Sequence, residues 1–249
     1  MIRTTALLAW LTVASTFVPT PTVADEAIRA LALPGASATE FPTPDRPVAE
    51  IVSPIWATEE GRDKVDEAGQ IARHLDIRLG QTIADIGAGS GYHTVRFAKR
   101  VGPTGRVLAQ DVMPEYLAGL ARRVRQEGLT NVTLGLGEGH DPRLPPASVD
   151  VALLVHMYHE IAQPFAFLHN LVPAMKPGAR VGIVDLDRAT WLHGTPRDLL
   201  ACELSAVGFR QVAFHVLEGD IGYLAVFEGP RESERKRPPE IVPCKLQKP

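Results

Sequence analysis

The sequence predicts an α/β domain: a doubly wound sheet of seven strands, mostly parallel, closed by an antiparallel hairpin strand at its C-terminal end. Three observations predict it. Strand-like and helix-like segments alternate from residue 82 onward, the pattern of a parallel sheet covered on both faces. A glycine-rich turn, Gly87-Ala88-Gly89-Ser90-Gly91, stands between the first strand and the helix that follows it. The last two strands are joined by Glu218-Gly219-Asp220, too short for a crossover and suited to a hairpin.

In chain order, a helical segment spans 58–75, with Val65, Ala68, Ile71, Ala72 and Leu75 at helical spacing. The strands are expected at 82–86, 106–110, 131–136, 150–155, 180–185, 210–217 and 221–227. Helices are expected at 91–101, 114–126, 164–175 and 196–207, the third carrying Phe165, Leu168, Leu171, Val172 and Met175 on one face. Pro164 suits the first turn of that helix, where its missing N–H is not needed.

Around this domain, 59–228, lie three other segments. Residues 1–24 read as a secretory signal peptide: Arg3 near the start, an uncharged apolar run from Ala6 to Val18, then Thr22-Val23-Ala24 as a cleavage site. The run is shorter than the ~20 residues of a membrane span, so no stable span is expected after cleavage. A periplasmic or secreted protein is implied, with a cytoplasmic one carrying a misassigned start as the alternative. Residues 25–58, with prolines at 34, 42, 44, 47 and 54, read as an irregular lead-in, part of it folded over the domain. The charged, proline-containing stretch 229–249 reads as a disordered tail.

The composition is that of a globular protein able to bury its own core: 249 residues, 45% hydrophobic and 22% charged. A net charge of −3 offers no general attraction to nucleic acid, and none is expected as a partner. Cys202 and Cys244 make no metal-binding pattern, and both read as free thiols.

The chemistry is concentrated at Ile83-Ala84-Asp85-Ile86-Gly87-Ala88-Gly89-Ser90-Gly91-Tyr92. Glycines there let the main chain turn sharply and approach a ligand with no Cβ in the way. Tyr92 stands where a dinucleotide fingerprint has its third glycine, which disfavours a nicotinamide oxidoreductase. Asp85, inside the strand end, suits a ligand with a cationic group better than a pyrophosphate. Asp111, at the end of the second strand, is placed to accept hydrogen bonds from ribose hydroxyls.

With these residues in place, the chain resembles the class I S-adenosylmethionine-dependent methyltransferases over residues 60–228. Asp85 to Gly91 resembles that family's first motif and Asp111 its ribose-binding acid. Leu134-Gly135-Leu136-Gly137-Glu138-Gly139 is similar to the adenine-holding segment, with Glu138 where Asp is more usual. Val149 to Leu154 and Lys176-Pro177-Gly178-Ala179-Arg180 resemble the fourth strand and the turn before the fifth, and His140 and Asp141 would belong to the loop beside the adenine. The resemblance implies a Rossmann-like fold and S-adenosyl-L-methionine as cofactor, held by Asp85, Gly87, Ala88, Gly89, Gly91, Tyr92, Asp111, Val112, Glu138 and Gly139. It implies in-line methyl transfer to a small-molecule or protein acceptor. A non-catalytic nucleoside-binding protein of the same fold is the alternative.

The residues past the fourth strand, Val155-His156-Met157-Tyr158-His159-Glu160, should face the transferred methyl group. His159 is the candidate general base, because its unperturbed pKa lies near neutrality. Tyr158 would shape the pocket and Glu160 would orient or charge the imidazole. The order His156-x-x-His159-Glu160 matches neither zinc-protease arrangement, so no metal site is assigned. His74, His169 and His215 read as surface or packing residues. Neither a serine nucleophile elbow nor the Asn-Pro-Pro-aromatic tetrad of amide and adenine N-methyltransferases occurs.

Overall fold

The computed structural model describes residues 28–52 and 58–245, so the signal-peptide expectation at 1–24 lies outside the described residues. The chain runs α1 (Glu59–Lys64), α2 (Glu67–His74), β1 (Thr82–Ile86), α3 (Tyr92–Val101), β2 (Arg106–Asp111), α4 (Pro114–Gln126), β3 (Val132–Leu136) and β4 (Val149–Val155). It continues through α5 (Pro164–Leu171), β5 (Met175–Asp185), α6 (Arg197–Val207), β6 (Arg210–Val216) and β7 (Tyr223–Glu228).

These strands form one sheet in the order β3-β2-β1-β4-β5-β7-β6. The pairs β3–β2, β2–β1, β1–β4 and β4–β5 are parallel. Strand β7 lies antiparallel between β5 and β6, so the 218–220 connection makes the expected hairpin. Strand order reverses between β1 and β4, and ligands of open α/β sheets bind beside the carboxyl ends of the strands at such a point.

The central strands are buried on both faces, which is why β1 and β4 read as near-continuous apolar runs. One core packs α2, α3 and α4 against the sheet, around Ile71, Phe97, Val101 and Leu120. The other packs α5, α6 and part of the lead-in against the opposite face, around Phe165, Leu168, Leu200 and Leu204. Each such large apolar side chain contributes about 1.5–3 kcal/mol when fully buried.

Two helix expectations are corrected by backbone chemistry. The segment at 58–75 is two helices, broken where Asp66 takes a left-handed φ of 51°. The helix expected to reach 175 stops at Leu171, because Pro173 lacks the N–H that would continue it, and Met175 opens β5 instead.

The lead-in is irregular and drapes over the domain. Its Ala36 N–H donates to Asn170 Oδ1 at 2.9 Å, and Ala49 N–H to the His159 carbonyl at 3.2 Å. The tail differs from expectation: it makes short 3₁₀ turns at Glu232–Glu234 and Pro238–Glu240, then buries Ile241 and Cys244. Cys244 is disulfide-bonded to Cys202 on α6, so the free-thiol reading is overturned. A sequence separation of 42 residues carries no spacing signal, and only the packing of the tail on α6 brings the sulfurs together.

Candidate active site

A cavity of about 310 Å³ opens at the carboxyl ends of β1, β2, β4 and β5, over the switch point. Its volume lies at the small end of the range for small-molecule sites.

The glycine turn forms one wall. Gly87, Gly89 and Gly91 have φ of 69°, 51° and 85°, a region that side-chain-bearing residues avoid. A Cβ on Gly87 would come within 2.9 Å of Met157 Cγ, so the loop also needs glycine for its close approach to the turn after β4. Asp111 holds this turn in place: its Oδ2 accepts from Gly89 N–H at 2.8 Å and its Oδ1 from Met113 N–H at 2.9 Å. Ala88 N–H donates to the Gln110 carbonyl at 2.9 Å. Ala88, Val112, Glu138 and Gly139 line the cavity as expected. The Glu138 carboxylate is half-exposed and faces Arg143 at 3.2 Å. His140 and Asp141 do not line it; buried Asp141 instead accepts from Gly35 N–H at 2.7 Å, tying the lead-in to this loop.

Asp85 sits at the floor, 3% exposed, accepting from Thr94 Oγ1 at 2.5 Å. Burial pushes its carboxyl above the ordinary carboxylate range, and burial also raises Asp111. A bound cation would act against burial and favour the charged form of each. Three further polar residues on the same floor escaped sequence reasoning: Arg62, Glu67 and His93. Burial would raise Glu67, but hydrogen bonds from Arg62 and His93 outweigh it and hold the carboxylate well below its usual range. Tyr92, also lining the cavity, explains its own departure from glycine. Its hydroxyl donates to Asp63 at 3.0 Å, and the Arg62 and Arg96 guanidinium carbons lie 3.8 and 3.7 Å from its ring centre. The tyrosine thus clamps α1 onto α3, with cation–π attraction added to the hydrogen bond.

The opposite wall comes from the turn after β4 and the loop after β5. His156 has a left-handed φ of 52°, and burial lowers its pKa to about 4, so it is neutral at ordinary pH. His159 is fully buried and faces the cavity edge, and Glu160 lies beside it. Burial raises Glu160 to about 7. The expectation that Glu160 orients His159 is corrected: that partner is Asp185, whose two carboxylate oxygens lie 3.0 and 3.1 Å from His159 Nδ1. Asp185 is fixed in turn by Thr195 Oγ1 at 2.6 Å and by Leu186 N–H at 2.9 Å. Glu160 accepts instead from Val52 N–H at 3.3 Å.

Tyr158 is also corrected. Its ring points into the core, away from the cavity, and its hydroxyl donates to Glu203 Oε2 at 2.9 Å. Glu203 pairs with Arg46 of the lead-in at 2.8 Å, and Arg46 donates to the Ile161 carbonyl at 3.0 Å. Tyr158 therefore anchors the turn that carries His159. The histidines read as packing residues do pack: His74 stacks on His215 at 3.8 Å, and His169 meets Phe41 edge-on at 5.1 Å.

Comparison with known proteins bears on the fold and the family. A family model described as a methyltransferase domain matches residues 83–178. The protein-L-isoaspartate O-methyltransferase 2 of Archaeoglobus fulgidus is 29% identical over 153 residues, covering 61% of this chain and 66% of that protein. The arsenite methyltransferase of Halobacterium salinarum is 31% identical over 133 residues, covering 53% of this chain but 34% of that protein. The chain thus spans between 34% and 66% of the length of these two relatives. Among solved structures, a SAM-dependent methyltransferase from Aquifex aeolicus shares the fold with TM-score 0.58 and 24% identity, over 67% of this chain and 90% of that one. A [4+2]-cyclase shares it with TM-score 0.60 and 15% identity, over 75% of this chain and 87% of that one, so the fold alone does not fix a reaction. The methyltransferase-domain model thus covers the stretch that holds the glycine turn, Asp111 and Glu138, and together with the relatives it supports a class I S-adenosylmethionine-dependent methyltransferase.

Proposed function

We propose that this chain transfers the methyl group of S-adenosyl-L-methionine to an acceptor that enters at the His159 end of the cavity. The observation that carries the reading is the glycine turn, held by Asp111 and lining the same cavity as the buried carboxyl of Asp85. These residues fit the donor. Asp85, destabilised as an anion by burial, would take its ammonium group, Asp111 its ribose hydroxyls, and the Glu138-Gly139 segment its adenine. Bound there, the donor supplies a methyl carbon made electrophilic by a positively charged sulfur. The chain's own contribution is to align acceptor and methyl and to exclude water. His159 Nδ1 is taken up by Asp185, which leaves its buried Nε2 without a partner among the described residues and open to an acceptor's proton. The relatives' names include isoaspartate in protein, arsenite and nocamycin as methylated species, so the acceptor here is drawn from the local wall and not from kinship.

The test is calorimetric titration with S-adenosylhomocysteine. The wild type should bind, and Asp111→Ala should bind about tenfold or more weakly, since hydrogen bonds to a charged acceptor contribute ~1.5–3 kcal/mol each. Tight binding of NADH with no response to S-adenosylhomocysteine would sink the proposal.

We also propose that the protein works in the periplasm or outside the cell. The leader at 1–24 supports it, and so does the Cys202–Cys244 bond, a linkage of oxidising compartments. N-terminal sequencing of protein from its native host should start at Asp25; a chain retaining Ile2 would refute export.

A further inference from the structure

The acceptor wall carries a buried nitrogen whose chemistry is unfinished. His159 Nδ1 faces both oxygens of Asp185, which itself is locked by Thr195 and Leu186. The proton therefore belongs on Nδ1, and Nε2 presents a lone pair. That Nε2 is buried and has no hydrogen-bond partner among the described residues. A buried polar atom left without a partner costs about 1–3 kcal/mol, so a group to meet it is expected. Two donors stand ready. Glu160 and His193 each place a ligand atom such that these and a His159 ring nitrogen all lie within 4.8 Å of one another.

His193 arrives from a distant part of the chain and is held there. It follows the 3₁₀ turn Thr190–Leu192, with a left-handed φ of 57°. Arg188 donates to its carbonyl at 3.2 and 3.3 Å, and Thr190 Oγ1 donates to the Pro47 carbonyl at 2.7 Å. Its ring meets that of His159 nearly perpendicularly, with centres 5.5 Å apart. Two imidazoles and one carboxylate make a donor set for a first-row transition metal, not for magnesium or calcium, which take oxygen ligands. A carboxylate behind the first imidazole is the usual support for a metal-binding histidine, fixing its tautomer and raising its basicity.

We propose that His159, Glu160 and His193 hold a divalent metal ion of the zinc class at the acceptor end of the cavity, with a coordination position left for an acceptor hydroxyl or thiol. Three protein ligands with an open position mark a reactive site and not a closed structural one. With zinc–nitrogen bonds of 2.0–2.1 Å, tetrahedral ligands sit about 3.3 Å apart, so the three donors need to draw in by at most ~1.5 Å. The ion lowers the pKa of the acceptor group, whose proton leaves to solvent. The acceptor's freed electron pair then forms the bond to the methyl carbon, while the carbon–sulfur pair stays on the departing sulfur. His159 is a ligand in this arrangement, and the ion takes over the task of a base. The metal site stands on its own geometry; only the acceptor's class rests on the methyltransferase reading.

The experiment uses purified full-length protein stripped by a chelator. Cobalt(II) is added while visible absorption is read, then zinc is titrated by calorimetry, and S-adenosylhomocysteine binding is measured on the same samples. One cobalt ion per chain should bind, with the intense absorption of a four- or five-coordinate site, and zinc should displace it. His193→Ala and Glu160→Gln should abolish this band and leave S-adenosylhomocysteine binding in place. Asp185→Asn should weaken metal binding about 10–100-fold. No stoichiometric cobalt binding, or binding indifferent to both ligand variants, overturns the metal site. If cobalt binds as expected but S-adenosylhomocysteine does not, the donor reading fails and the metal site stands.

Discussion

The donor wall of the cavity takes its shape from main chain, whereas the acceptor wall takes its shape from buried side chains. On the donor side, three left-handed glycines and the N–H groups of Gly89 and Met113 converge on Asp111, all within residues 87–113. On the acceptor side, His159 follows β4, Asp185 ends β5, and His193 and Thr195 precede α6. Beneath them Tyr158, Glu203 and Arg46 form a second buried network that reaches into the lead-in. A wall made of backbone conformation tolerates change around it, because its hydrogen bonds close locally on Asp111 and the Gln110 carbonyl. A wall made of buried polar side chains depends on every member being present.

The largest expected effect breaks the acceptor side. Glu203→Gln removes the carboxylate that pairs with Arg46 at 2.8 Å, with both side chains at most 1% exposed. Leaving one buried charge unpaired costs about 3–5 kcal/mol. Thermal unfolding should shift down accordingly, while S-adenosylhomocysteine affinity, measured well below the transition, stays near wild type. Unchanged stability would show that the Arg46–Glu203 pair does not support this wall; a matching loss of donor affinity would show that the two walls are one unit.

A smaller effect breaks the donor side. Gly91→Ala puts a side chain at φ 85°, which costs about 1–2 kcal/mol, and its Cβ meets Leu120 Cδ1 of the underlying core. S-adenosylhomocysteine affinity should fall about tenfold by calorimetry, and the cobalt spectrum should stay. An intact donor affinity would mean that the left-handed turn is a packing device and not part of the donor site.

This contrast explains what could be read in advance. Asp85, the glycines and Asp111 are near neighbours in sequence, and their strand–turn–helix–strand setting is written in local periodicity and in glycine itself. The expected strands coincide with those observed to within a residue or two at most ends, β5 being the exception because it starts five residues early at Met175. His159 was found by its place after β4. Its partner was not, since Glu160 is adjacent in sequence but Asp185 is adjacent across the parallel β4–β5 pair. Arg62, Glu67 and His93 carried no motif at all; only the packing of α2 against α3 brings Glu67 and His93 to 3.3 Å.

The sequence by itself determined the alternation of strands and helices, the sharp turn after β1, the acid at the end of β2 and the closing hairpin. Those follow from side-chain periodicity and from the conformational freedom of glycine, which act over a few residues. Only the tertiary structure decided that Tyr158 faces the core, that Asp185 and not Glu160 holds His159, that His193 stands within reach of both, and that Cys202 bonds Cys244. The physical reason is that a buried polar group takes whichever partner the closed fold leaves beside it, and sequence distance sets no limit on that choice.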